Sequence, residues 1–574
     1  MTIRFASFKA LALGTGLAAL TALGALAQVT RPIDGDPVRT DAGLVSGSMS
    51  ASGLKTYFGI PFAAPPVREN RWREPQPVKA WDGILTANKK QAECVQGLRS
   101  SSINHYFGEE AAAEDCLYLN IWEPAGAKAG AKLPVMVWIY GGAFTGGSAS
   151  SPIYAGDALA KKGVIYVAIN YRLGTFGFLA HPELTATSGH NASGNWGFLD
   201  QVAGLKWVQK NIAAFGGDPG NVTIVAQSAG SMSATDLQAS PLAKGLFQRI
   251  IGMSGTTLKG GAGAGVPLAD AEAEGVKLQT ALKAKNLADM RSFSSDKVQA
   301  AAQQAGVRAQ PDIDGYYLSQ PEEDIFAAGK QNDVALLTGS TANDLGTDVA
   351  IRKATTVAEY NAAAQQMYGD KAAAFLALFP VKTDADVKKQ ADNVGRNSGF
   401  GIGARHWVAA QTKTGKQPAY LFQVSRVQPF TPGATFSDFD PAIAGAYHMG
   451  DVPYFLGTYE AFNLFRTTRN WTALDRDLSN KMQDVLVAFA KTGNPSTDAV
   501  KFVRYNPANE MRMNFGDTIV NEKLDSKALD FLRDTPVIRA AGRGGRGGPP
   551  GGGAPGGGRG TAAGGAVLPP SPSF

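Results

Sequence analysis

The stretch that most constrains this chain is Val222-Thr223-Ile224-Val225-Ala226-Gln227-Ser228-Ala229-Gly230. An apolar, largely β-branched run leads straight into a small-x-Ser-x-small turn. Such a turn holds a serine hydroxyl at the tip of a sharp strand-to-helix bend, exposed above a parallel sheet. Small residues must flank Ser228, because strand and helix pack tightly at the bend. Gly230 meets that demand. Ala226 stands where glycine is usual, and a single extra methyl is expected to be tolerated with slight rearrangement. A serine hydroxyl is a weak nucleophile until a base takes its proton, so the turn alone assigns no activity.

The surrounding pattern fits a sheet of that kind. Val135 to Ile139, Val164 to Ile169, Arg249 to Met253, Val334 to Thr338 and Ala419 to Val424 are continuous apolar runs. Continuous runs, unlike alternating ones, suit strands buried on both faces, which indicates a parallel sheet between helices. Val202, Leu205, Val208 and Ile212 recur at helical spacing, and Gly216-Gly217 ends that helix. The fold class expected is α/β, with a large, mostly parallel sheet. Gly260 to Gly265 reads as a flexible loop. Helical patterns near 266–310 and 357–407 are candidate caps over the serine.

The two ends read differently. Arg4 and Lys9, an Ala/Leu-rich run and Ala25-Leu26-Ala27 before Gln28 have the form of a secretory signal over residues 1–27. The run is short of the roughly 20 apolar residues that span a bilayer, so no stable membrane insertion is expected. Residues 536–574 are nearly all Gly, Pro, Ala and Arg, a composition that cannot build a core and is expected to stay disordered. The formal charge of +6 comes from these ends: two cations in the first segment and four arginines in the tail. The body, residues 28–535, is therefore neutral overall, which argues against a nucleic-acid partner. Its length exceeds the usual single core of about 250–300 residues, so it holds two domains or one enlarged sheet with insertions. Two cysteines, Cys94 and Cys116, form an even count in a chain expected to be exported to the periplasm or beyond, which favours one disulfide over two buried thiols.

A second motif follows a strand: Gly141-Gly142-Ala143-Phe144. Small residues there let backbone N–H groups point into a cavity, as acyl transfer requires of an oxyanion hole. Gly142, Ala143 and Ala229 are the donors this pattern assigns. No zinc-type histidine pair and no Gly-rich phosphate loop occurs, so no metal and no cofactor is indicated.

Taken together, the chain resembles the type-B carboxylesterase and cholinesterase family of α/β-hydrolases. The resemblance runs from about residue 30 to 520. It is carried by Tyr57-Phe58-Gly59-Ile60-Pro61-Phe62-Ala63, by Glu114-Asp115-Cys116-Leu117-Tyr118-Leu119-Asn120-Ile121-Trp122, and by Asn170-Tyr171-Arg172-Leu173-Gly174. Phe215-Gly216-Gly217-Asp218-Pro219 and Phe489-Ala490-Lys491-Thr492-Gly493-Asn494-Pro495 continue it.

The resemblance implies a Ser-acid-His triad in that chain order. Of five histidines, His448 lies in Gly445-Ala446-Tyr447-His448-Met449-Gly450-Asp451, which matches the family's catalytic-histidine segment, whereas His406 reads as structural. The family's acid is usually glutamate before glycine. Here Asp344 occupies that position in Gly339-Ser340-Thr341-Ala342-Asn343-Asp344-Leu345-Gly346, and its shorter side chain needs the loop about one bond closer to His448. Asp348 is the alternative. The resemblance further implies a Cys94–Cys116 disulfide, an architectural Arg71–Glu114 ion pair, and a supporting role for Ser254 below the triad.

The activity implied is hydrolysis of carboxylic esters through an acyl-enzyme, with a small-molecule ester as the partner. Gln227 stands where cholinesterases carry glutamate, and no tryptophan lies between the two cysteines. Both departures argue against choline esters. Phe144, Gln227 and Tyr447 are candidate pocket residues, and a neutral or aromatic ester is the substrate expected. A dedicated natural-product or toxin esterase, an amidase, and a catalytically silent binding protein are the competing readings. An intact Ser228 and His448 weigh against the last.

Overall fold

In the computed structural model, residue 33 and residues 36–97, 110–258, 264–344, 349–436, 440–464 and 466–538 are described. The signal-like segment 1–27, the tail from 539 onward, part of the loop at 260–265 and Asp348 lie outside the described residues. Among the described residues the main sheet has eleven strands. In chain order these are β1 (Ser48–Met49), β2 (Lys55–Pro61), β3 (Tyr118–Glu123), β4 (Leu133–Ile139), β5 (Ile165–Ile169) and β6 (Gly217–Gln227). They continue as β7 (Arg249–Met253), β8 (Ala335–Thr341), β9 (Ala419–Val424), β10 (Met511–Phe515) and β11 (Ile519–Lys523). Across the sheet the order is β11-β10-β9-β8-β7-β6-β4-β5-β3-β2-β1.

Strands β4 to β10 pair in parallel; the antiparallel pairs lie at the two margins. Composition explains this division. Met136, Val137, Trp138 and Ile139 are successive residues of β4 and all are fully buried, as a strand covered on both faces requires. At the margin, β11 leaves Val520 44% exposed. The chain passes from β4 outward to β5 and then crosses back to β6, so β4 lies between them. That reversal opens a crevice at the carboxyl ends of β4 and β6. Ile139 of β4 is in register with Ala226 of β6, so the segments that follow both strands emerge level with each other.

Helices flank the sheet. The helix Trp196–Asn211 buries Val202, Leu205 and Val208, and a 3-10 turn over Ile212–Phe215 ends at Gly216 with φ 84°. Helices Leu268–Leu282, Leu287–Ser292 and Ser295–Ala305 follow β7. Between β8 and β9 lie Val349–Lys353, Val357–Tyr368, Ala372–Leu378, Asp384–Arg396 and Phe400–Thr414. Most of this block has a hydrophobic cluster of its own, including Ile351, Tyr360, Phe375, Val387 and Val394, which Ala528 of the C-terminal helix Ser526–Asp534 joins. The helix Phe400–Thr414 instead packs on the sheet: a side chain at Gly252 of β7 would lie 2.6 Å from the Trp407 ring.

Cys94 and Cys116 are joined by a disulfide. Closing a loop of about two dozen residues contributes about 2–4 kcal/mol. Beside it, Arg71 grips Glu114 through two hydrogen bonds, one of them 2.6 Å from Nε to Oε2. No helix among the described residues is long and apolar enough to cross a membrane.

Candidate active site

Ser228 follows β6 directly and precedes the helix Ala229–Ala239, with φ 57° and ψ −127°. A non-glycine residue held there stores about 1–3 kcal/mol, so its surroundings must impose the bend. They do so by close backbone contact. The Ser228 N–H donates to Met253 O at 2.8 Å, and the Ser228 carbonyl accepts from Met232 N at 2.9 Å. A side chain at Gly230 would fall 2.1 Å from Ile139 O, and one at Gly255 would fall 2.2 Å from Ser228 O. The turn forms with Ala226 in place, fully buried and in register with Gly252.

Beyond β4, Gly142, Ala143 and Phe144 all have positive φ, at 119°, 54° and 59°. A side chain at Gly142 would lie 1.9 Å from Gly146 O, so that position is closed to anything larger. Gly141 packs on the nucleophile turn: its absent side chain would be 2.6 Å from Ser228 Cβ. Among the described residues, the N–H groups of Ala143 and Ala229 donate no hydrogen bond. Two free donors from segments that meet beside Ser228 have the composition of an oxyanion hole.

His448 reaches this turn from a loop tied to the one bearing Asp344. Asn343 N–H donates to Ala446 O at 2.9 Å, and Ala446 N–H donates to Asn343 Oδ1 at 2.9 Å. Gly445 allows the approach, since a side chain there would lie 2.3 Å from Asn343 Oδ1. This double tether brings the short aspartate within reach. Asp344 Oδ1 is 2.6 Å from His448 Nδ1, and His448 Nε2 is 2.8 Å from Ser228 Oγ. The other carboxylate oxygen, Oδ2, accepts from Thr341 Oγ1 at 3.0 Å and Thr341 N at 3.3 Å. Ser228 and His448 are each 8% exposed and Asp344 is 6% exposed, so the whole chain of hydrogen bonds is buried with little access to solvent.

Burial pulls the His448 imidazole towards its neutral form. The Asp344 charge and hydrogen bond, with a further contribution from Asp451, outweigh burial and hold its pKa above the ordinary histidine value. Asp451 is fully buried three residues beyond His448; neither of its oxygens makes a hydrogen bond of good geometry among the described residues, and the nearby N–H groups of Asp451 and Val452 give its anion only partial support. Burial first, then repulsion from Asp344, push its carboxyl up to about 7, against the opposing pull of His448.

The three candidate pocket residues have distinct surroundings. Gln227 Nε2 lies 3.3 Å from His448 Nε2. Because Nδ1–H is given to Asp344, Nε2 of the neutral ring is an acceptor, and the Gln227 amide is its second donor beside Ser228. Phe144 packs edge-on against Phe178 and Phe198, with centroids 5.1 and 5.6 Å away. The Tyr447 hydroxyl donates to Gln428 Oε1 and accepts from Arg469 Nη2, both at 2.9 Å. Ser254 is fully buried with φ 52°, and His406 Nε2 is 3.0 Å from Glu323 Oε1. Sequence reasoning did not single out Phe400, whose ring stacks on His448, or Asp451 as a charge acting on it. Asp451 stands in the quoted histidine segment and could have been found there; Phe400 carried no local signal.

The model of the carboxylesterase family matches residues 34–532. Fumonisin B1 esterase of Sphingopyxis macrogoltabida is 35% identical over 79% of this chain and 82% of its own length. Para-nitrobenzyl esterase of Bacillus subtilis (strain 168) is 32% identical over 82% of this chain and 92% of its own. Among solved structures, a PNB esterase aligns with a TM-score of 0.70 at 28% identity, covering 87% of this chain and 99% of that one. A Geobacillus stearothermophilus carboxylesterase aligns with a TM-score of 0.71 at 27% identity, covering 87% and 100%. A nearly full-length family match, on a sheet whose reversal point holds a serine bonded to a histidine, makes this chain a member of the carboxylesterase family: an α/β-hydrolase and a serine carboxylic-ester hydrolase.

Proposed function

We propose that Ser228, His448 and Asp344 carry the ester hydrolysis, with Gly142, Ala143 and Ala229 as oxyanion donors. The observation that carries this assignment is the unbroken run of hydrogen bonds from Asp344 through His448 to Ser228. His448 Nε2 takes the Ser228 proton as Oγ attacks the ester carbonyl carbon. Asp344 keeps the Nδ1 proton in place and stabilises the imidazolium. The tetrahedral oxyanion sits between the backbone N–H groups. As it collapses, the C–O bond to the alcohol breaks and His448 gives that alcohol its proton. Water then repeats the sequence: His448 takes its proton, the hydroxyl attacks the acyl-enzyme, and Ser228 leaves with the proton returned.

The substrate read here is a small neutral or aromatic ester. The uncharged Gln227 beside His448 supports it, since position 227 carries no carboxylate to attract a cationic alcohol. A second reading, a dedicated natural-product or toxin esterase on the same triad, is favoured by the similarity to fumonisin B1 esterase. We also read residues 1–27 as a signal for export and the residues beyond 538 as a tail outside the hydrolase domain; Val537 and Ile538, which composition assigns to that tail, instead meet the helical block, with Ile538 N–H donating to Met367 O at 2.8 Å. The Cys94–Cys116 disulfide supports an oxidising compartment. Hydrolysis of p-nitrophenyl acetate, butyrate and octanoate, beside Ser228→Ala, tests the assignment. Wild type is expected to turn over and the variant to lose at least about a thousandfold. Equal rates for the two would overturn the triad.

A further inference from the structure

His448 is bonded at its edges, but one of its flat faces rests on a ring. Phe400 stacks on it with centroids 5.3 Å apart and an interplanar angle of 23°. Phe400 is 6% exposed and is the first residue of the helix Phe400–Thr414, directly after Gly399 with φ 55°. The position of this ring is therefore set by a helix start and not by a loose loop.

The hydrogen bonds alone do not hold the imidazole through a catalytic cycle. The bond at Nδ1 fixes one point and leaves the ring able to swing about the line to Asp344. The bond at Nε2 must pass from Ser228 to the departing alcohol and then to water. The stacked face, like the bond at Nδ1, is a contact that no step breaks, and it restrains the swing which that bond leaves free. It also matters electrically, because a π face attracts a cation and the imidazole is cationic only after it has taken the serine proton.

We propose that Phe400 is a positioning residue for the hydrolysis: its ring holds the His448 imidazole in the reactive plane and its π face stabilises the imidazolium. The proposal rests on the triad reading above. Among the described residues, the charged groups acting on His448 are Asp344 and Asp451, its hydrogen-bond partners are Asp344, Ser228 and Gln227, and its ring partner is Phe400, whose removal alters neither charge nor hydrogen bonding at the imidazole.

The test compares the full chain with Phe400→Leu, Phe400→Tyr and Ser228→Ala, using p-nitrophenyl butyrate between pH 5 and 9 and thermal melting of each. Leucine keeps apolar cover but has no π face; tyrosine restores it. Phe400→Leu is expected to lower kcat about 3- to 10-fold with KM within about twofold. The midpoint of its acid limb in kcat/KM is expected to fall by about half a pH unit, because the imidazolium loses support. Phe400→Tyr is expected to restore both. An unchanged kcat and midpoint in Phe400→Leu would overturn the proposal. So would a rise confined to KM, which makes Phe400 a substrate wall, or losses in both variants with lowered melting and an unmoved midpoint, which makes it packing alone. Activity surviving in Ser228→Ala would instead overturn the triad reading itself.

Discussion

Replacing Asp344 by asparagine removes one charge and changes almost no volume, yet the structure predicts a severe loss. Two donors, Thr341 N–H and Thr341 Oγ1–H, point at Asp344 Oδ2. The backbone N–H cannot turn away. An asparagine there must present its carbonyl oxygen to Thr341, which turns its NH₂ towards His448 Nδ1. That group donates, so Nδ1 must become the acceptor and the ring proton moves to Nε2. Nε2 then has no lone pair for the Ser228 proton. The wrong tautomer and the lost charge together are expected to cost about 10⁴-fold in kcat, as the same change does in a Ser-His-Asp protease. That factor corresponds to about 5.5 kcal/mol of transition-state stabilisation. The assay is kcat and KM for p-nitrophenyl butyrate at pH 8, with Asp348→Asn measured beside it and Ser228→Ala as the floor. Asp344→Asn is expected near that floor with KM little changed, and Asp348→Asn near wild type. An Asp344→Asn variant that keeps a tenth of wild-type activity would refute the reasoning, and a collapse in Asp348→Asn would move the acid to that residue.

Other perturbations follow from the same contacts. Gln227→Glu places a carboxylate beside His448 Nε2 and is expected to raise the histidine pKa by about one unit. Activity at pH 6.5 should then drop about tenfold while activity at pH 9 holds, and kcat/KM for a choline ester should rise against its neutral isostere; a pH–rate profile and the substrate pair check both. Asp451 has a folded-state pKa of about 7, above its unfolded value near 3.8, so the stability it contributes is present in acid and lost as pH rises through about 7. Asp451→Asn should therefore melt higher than wild type above pH 7 and not below pH 4, and its acid limb should move down. Removing both Cys94 and Cys116 should lower unfolding stability by about 2–4 kcal/mol in denaturant titration while leaving the ester kcat within about twofold.

Much of the architecture was legible because its signals are local. The buried centres of β4 to β9 are written as largely apolar runs, and the bend at Ser228 is written in the small residues around it. The antiparallel margins and the strand order were not, since pairing across the sheet depends on contacts far apart in the chain. The site divides in the same way. Ser228 and His448 each stand in a distinctive segment, though 220 residues separate them. The proximity of Asp344 depends on the Asn343–Ala446 tether, which no local pattern encodes. Phe400 meets His448 only through the placement of a whole helix. The surroundings of Tyr447 were illegible for a related reason: Gln428 and Arg469 come from segments on either side of it.

The central claim is that Ser228 is the residue that forms the acyl-enzyme. Reaction with a fluorophosphonate probe, followed by intact mass and peptide mapping, tests it without any choice of substrate. One phosphonyl group per chain is expected, on the peptide containing Ser228, absent from Ser228→Ala and formed far more slowly in His448→Ala. Labelling that persists in Ser228→Ala, or that maps to another serine, would contradict the account.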